Sequence, residues 1–150
     1  MREEDVTRYV AQWLEDLGWC LISVHYPGTS GGLRLSRSGE SAKSEGAIIP
    51  DIIAAREAHL LIVESKPEYC ESDLAKVRAI KDDPRYRSDL VRAAAMVRQP
   101  LRHVVVGVCF AGAPPHDVPC NVLLLRCHTS GIEMTGIPSG CRHLFESSPR

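Results

Sequence analysis

The sequence predicts an α/β fold, a mixed β-sheet flanked by helices in the order α-β-β-β-α-β, from three observations. A helical apolar period opens the chain, apolar runs of strand length fill its middle, and helical spacing returns between those runs and two later apolar segments. At 150 residues, 44% hydrophobic and 25% charged, the chain holds enough apolar material for one domain with a real core. We take residues 1–150 as that domain, its core at about 3–110 and a C-terminal strand and loop-rich extension over 111–150.

Residues 2–17 set Val6, Tyr9, Val10, Trp13, Leu14 and Leu17 three and four apart, one stripe of an amphipathic helix, and Gly18 supplies its stop. Trp19 to Tyr26 is rich in β-formers and closes at Pro27-Gly28, as a strand does. From Gly28 to Gly46 the composition turns to Gly, Ser, Arg, Lys and Glu with almost nothing to bury, which predicts a long mobile loop of a length that carries function. Ala47 to Ala55 and His59 to Ser65 are apolar runs on either side of a polar Arg56-Glu57 turn and should pair as a hairpin. The second is apolar without interruption, as in a strand covered on both faces.

Beyond Pro67, Leu74, Val77 and Ile80 share one helical side, and Asp82-Asp83-Pro84 breaks the pattern. Asp83 and Pro84 then suit the N-cap and first position of a helix carrying Tyr86, Leu90, Ala93 and Val97 inward and ending before Pro100. Residues 103–110 predict a buried strand, Asn121 to Cys127 a last one, and the tail from Pro138 a loop.

Eighteen basic against nineteen acidic side chains exclude a global basic field, so a polyanion must be met by a local patch. Apolar runs fall far short of the ~20 residues that span a bilayer, and the opening is acidic and polar; we expect a soluble, cytoplasmic protein with no membrane partner. Cys20, Cys70, Cys109, Cys120, Cys127 and Cys141 include no Cys-x-x-Cys pair and read as reduced thiols. A zinc set of Cys120, Cys127, His128, Cys141 and His143 can be drawn, but its spacings match no familiar pattern, and core or surface residues are the default.

The chemistry gathers in the central hairpin. Asp51 interrupts Ile-Ile-Pro-Asp-Ile-Ile, and Glu64 and Lys66 end His-Leu-Leu-Ile-Val-Glu-Ser-Lys. A carboxylate among β-branched residues costs several kcal/mol unless something cationic meets it. Alternation puts Glu64 and Lys66 on one face, and the turn brings Asp51 alongside, so two carboxylates and one ammonium should converge. Such a cluster suits metal-assisted phosphodiester hydrolysis: Asp51 and Glu64, joined by the Ser65 carbonyl, offer hard oxygen ligands for Mg²⁺, with Mn²⁺ as a substitute. Lys66, kept charged by the carboxylates, would stabilise developing negative charge or position the nucleophile. The alternative is a surface hairpin in which Asp51 caps a turn and Glu64 and Lys66 form an exposed pair.

Pro50-Asp51, twelve intervening residues and Glu64-Ser65-Lys66 resemble the signature of the PD-(D/E)XK nuclease superfamily, which includes restriction endonucleases and Holliday-junction resolvases. The resemblance covers about residues 3–110 and implies a restriction endonuclease-like core. It also implies Asp51 and Glu64 as metal ligands and Lys66 as the catalytic lysine. Many members place a glutamate on the first helix facing the site. Here Glu3 lies one turn before Val6 on the buried side, whereas Glu4 opens a Glu-x-x-Thr-Arg stretch similar to that of type I restriction nuclease domains; both stay open as catalytic candidates. The acidic first turn also simply complements the helix dipole.

For nucleic acid, residues 76–103 gather eight basic side chains, including Lys76, Arg78 and Arg85, against three aspartates. That excess suits phosphate contacts carrying little sequence information, although a solvated helix face explains it as well. The glycine-rich loop adds Ser30, Arg34, Arg37 and Lys43, and backbone amides able to approach phosphate. It lacks a Gly-Lys-Ser/Thr ending, so no nucleotide cofactor is expected. The expected activity is a Mg²⁺-dependent endonuclease on DNA, of restriction or defence type, with a junction resolvase or a non-catalytic nucleic-acid-binding module as alternatives. Cutting both strands with one site per chain makes a homodimer a natural partner arrangement.

Overall fold

A computed structural model of the chain describes residues 1–39 and 47–147. It is an α/β structure in which one six-stranded mixed sheet separates a single helix from a helical pair. Helix α1 (Glu3–Asp16) leads to β1 (Cys20–Val24), β2 (Ile52–Arg56) and β3 (His59–Lys66). Helices α2 (Glu71–Asp82) and α3 (Arg87–Met96) follow, then β4 (His103–Phe110), β5 (Leu123–His128) and β6 (Gly131–Gly136). The strands lie side by side in chain order: β1 to β3 are antiparallel neighbours, β3, β4 and β5 run parallel, and β6 returns antiparallel. No helix of the described residues is long and apolar enough to cross a membrane.

The stripe foreseen on α1 forms except at Tyr9, whose ring lies on the exposed side of the helix. Val6, Val10 and Leu14 have no exposed surface and pack on Ile52, Ala54, Leu61 and Val63. Gly18, at φ +99°, ends the helix in a conformation side chains resist. On the opposite face, Leu74, Val77 and Ile80 of α2 and Leu90 and Ala93 of α3 cover Ile53, Leu60 and Ile62. Strand β3 is thus apolar on both sides because a helical layer lies on each, and each fully buried Leu or Ile contributes about 1.5–3 kcal/mol. Asp83 caps as expected: its side chain accepts from the Arg85 N–H at 3.0 Å, opening a 3₁₀ turn (Pro84–Tyr86) that runs into α3.

Four expectations need correction. The hairpin turn is Glu57-Ala58, both with positive φ (48° and 64°), and Arg56 belongs to β2. Strand β2 begins only at Ile52, because Ile48 pairs instead with Leu35. That pairing makes the 28–39 stretch less bare than its composition suggests. Leu35 is fully buried, Ser36 N–H donates to Asp89 Oδ2 at 2.7 Å, and Ser38 N–H donates to the Arg85 carbonyl at 2.8 Å.

Finally, the chain after Phe110 is part of the core. Asn121 to Cys127 is not the last strand, since β6 follows it with Ile132 and Met134 turned toward the α1 face. The tail is not a loose loop either. A 3₁₀ turn (Arg142–Phe145) buries Leu144 and Phe145, and the Phe145 ring stacks on Trp19 at 5.3 Å and Trp13 at 6.1 Å. Trp19 Nε1 and the Arg56 guanidinium both donate to the Leu144 carbonyl, at 2.9 and 2.7 Å.

Candidate active site

The hairpin register explains how the acidic residues meet. Ile52 stands opposite Val63, so the next pair outward is Asp51 and Glu64, on the face that α2 covers. One step further the register sets Pro50 opposite Ser65. Proline has no N–H to donate, so no ladder bond can reach the Ser65 carbonyl from it, while the Ser65 amide donates to the Asp51 side chain, Oδ2 at 2.7 Å. The Asp51 carbonyl is held from the other side by the His25 N–H at 2.7 Å. Asp51 and Glu64 are 6% and 3% exposed, which places two acids side by side almost out of water.

That arrangement dominates their titration. Burial, then the adjoining Asp51 carboxylate, push the Glu64 carboxyl up to about 8, although Lys76 opposes them. Near neutral pH, therefore, Glu64 mostly keeps its proton and donates it to Asp51. Lys76 Nζ of α2 lies 2.7 Å from Glu64 Oε1 and works against the retained proton, by hydrogen bonding and by charge.

Lys66 is placed differently from expectation. Its ammonium lies 3.3 Å from Glu3 Oε1 on α1, and Asp51 and Asp73 act on it only at longer range. Burial would lower its pKa, but those three carboxylates outweigh it and hold the ammonium above the usual lysine value, hence charged. Of the two candidate glutamates, Glu3 meets Lys66, whereas Glu4 pairs with Arg8 at 2.7 Å on the exposed side of α1. The two carboxylates and a lysine do converge, yet the lysine touching the pair is Lys76.

Of the residues expected to meet nucleic acid, only Lys76 belongs to this cluster. Lys76 serves Glu64, and Arg78 donates to the Cys120 carbonyl at 3.2 Å. Arg85 is bound to Asp83 at 2.8 Å, and Arg37 acts on Asp83 electrostatically. Arg34 lines a shallow recess with Asp89 and Arg92, Ser30 is exposed, and Lys43 lies outside the described residues. Of the zinc set, Cys127 and Cys141 are buried, burial raises both thiols, and all six cysteines are free.

Sequence reasoning assigned Lys76 to phosphate contact rather than to the acids, and missed His25. Lys76 is two residues past Leu74, off the buried stripe, a position that carries no signal of its own. His25 is legible only once its strand is paired with Asp51; its Nδ1 is buried without a hydrogen-bond partner among the described residues.

No family model and no curated protein matches the chain. The chemistry of the donor set must therefore speak for itself. Among the described residues no group of three or more His, Cys, Asp and Glu is placed to hold a metal ion. Two adjacent acids, one retaining a proton because the site is buried and its neighbour is an acid, offer hard oxygen donors that fit a divalent cation keeping most of its own waters.

Proposed function

We propose that the protein is a Mg²⁺-dependent endonuclease acting on DNA, with a restriction endonuclease-like core and a restriction or defence role in the cytoplasm. One observation carries this reading: Asp51 and Glu64, from neighbouring strands, form a buried acid pair, with the charged Lys66 near them and held by Glu3. Asp51 and Glu64 would hold Mg²⁺, or Mn²⁺ in its place. The Ser65 carbonyl, which faces a proline where a ladder donor would stand, would join them. Such a cation supplies a more acidic water and neutralises charge growing on the phosphoryl oxygens.

The chain's own residues do the rest. The Ser65 amide fixes the Asp51 carboxylate through Oδ2 and leaves the other oxygen for the cation. Glu64 must give up its proton to become a ligand. Lys66 offers a fixed positive charge to the phosphate, and Glu3 orients that ammonium. Two chains acting together would cut both strands.

Lys76 favours a second reading. Its ammonium already stands at Glu64, where a cation would be needed, as in a nuclease-fold module that binds nucleic acid without cutting it.

Incubation of plasmid, linear and branched DNA with Mg²⁺ or EDTA separates the two. On the nuclease reading the wild type cuts with Mg²⁺ and not with EDTA, and Asp51→Ala and Lys66→Ala both lose the activity. Equal cutting by all three proteins, or none by the wild type with Mg²⁺ or Mn²⁺, overturns it. Retention of DNA without cutting, and without Asp51-dependent Mg²⁺ affinity in calorimetry, establishes the binding module instead.

A further inference from the structure

At the other end of β3, about 17 Å from Glu64 at about 3.3 Å per residue, the strands open into a cleft of about 460 Å³. His59 and His103, register partners at the starts of β3 and β4, form its floor with ring centroids 4.9 Å apart and planes 33° from parallel. Lys81 from the last turn of α2, Arg87 from the first turn of α3 and Arg102 just before β4 stand around them. No acidic side chain lines the cleft among the described residues.

This is not an ordinary solvated face. Elsewhere the basic residues of 76–103 are largely spoken for, with Lys76 on Glu64, Arg85 on Asp83 and Arg92 on Asp89. Lys81 and Arg102 have no ion-pair partner among the described residues, and the Arg87 guanidinium is oriented by its 3.2 Å donation to the Leu101 carbonyl. The C-terminus of α2 accounts for one cation, Lys81, but not for three converging with two imidazoles.

We propose that this cleft binds a phosphate-bearing small molecule of nucleotide size. Three cations without a counter-charge call for a multiply charged anion, and two guanidinium groups match phosphate oxygens geometrically. The two imidazoles lining the cleft offer aromatic rings and N–H groups to a base, and the volume falls within the ~300–1,000 Å³ usual for small-molecule sites. A concave site at a distance from the acid pair suits a compact ligand better than a duplex backbone. The proposal stands independently of the nuclease reading.

The test is calorimetry of the full chain, without divalent ions, against inorganic pyrophosphate, adenosine triphosphate and the uncharged nucleoside adenosine. Pyrophosphate and the triphosphate should bind, the triphosphate more tightly and adenosine not measurably. Lys81→Ala and Arg102→Ala, both at exposed positions, should each weaken binding about tenfold. Arg92→Ala, outside the cleft, should change nothing, and Arg102→Glu should abolish binding. No binding of either phosphate compound, equal binding by wild type and Arg102→Glu, or a 20-base-pair duplex that binds through Lys81 and Arg102 while the triphosphate does not, would each overturn the assignment.

Discussion

The two ends of strand β3 store opposite kinds of conflict. At the Lys66 end the tension is electrostatic: two acids share a nearly dry site, and one of them keeps its proton up to about pH 8. At the His59 end the charges are cationic and face solvent, and the tension lies in the backbone, where Glu57 and Ala58 turn the hairpin with positive φ and no glycine. The strand between them is fully apolar and carries neither burden. A fold tolerates such local conflicts when its remaining contacts over-determine the structure, and they accumulate where ligands act.

The largest test of this contrast removes the acid at one end. Asp51→Ala should lower Mg²⁺-dependent DNA cleavage by more than about a hundredfold, since loss even of groups that merely support metal ligands costs 10–100-fold. Pyrophosphate binding by the same variant should be unchanged in calorimetry. A parallel loss of both would show that the ends are not separate sites.

Next in size is the pH dependence of folding. Glu64 has its carboxyl raised from 4.5 to about 8. Below pH 4.5 both folded and unfolded chains hold its proton. Between pH 4.5 and 8 the unfolded chain releases it while the fold retains it, so this group makes stability fall as pH rises through that window. Denaturant melts without divalent ions should show a decline on the order of a few kcal/mol that Glu64→Gln flattens. An identical slope in the variant would place the charge conflict elsewhere.

The smallest effect belongs to the turn. Ala58→Gly should relieve one left-handed alanine and stabilise the fold by about 1 kcal/mol in the same melts. It should leave cleavage untouched, because the turn is a full strand length from Asp51. Destabilisation would mean that the Ala58 N–H contact with Gln99 Oε1, at 3.1 Å, already sets the turn at no cost.

Much of this was open to inspection in the amino acids. Period-3.6 spacing marked α1 and α2, and uninterrupted Val, Ile and Leu marked β3 and β4, because burial on one or two faces writes itself into hydrophobic order. That Asp51 would come alongside Glu64 followed from a short hairpin, but their direct opposition depends on the turn being Glu57-Ala58, one residue on from the polar Arg56-Glu57 pair. Strand β6 escaped notice because its six residues are only half-buried and bounded by glycines. The burial of Phe145 depends on Trp13 and Trp19, more than a hundred residues away, and no local pattern announces it. The choice between Lys66 and Lys76 as partner of the acids was illegible for the same reason: it depends on where α2 settles across the sheet.

Helix α2 gives a lysine to each end, Lys76 to the acids and Lys81 to the cleft. It is a twelve-residue rod, about 18 Å long, too short to bend appreciably between those two side chains. Fraying of its final turn would withdraw charge from one site, and a divalent ion displacing Lys76 would release the rod's middle from the other. Amide exchange along α2 should therefore slow or quicken with whatever occupies either end of the sheet.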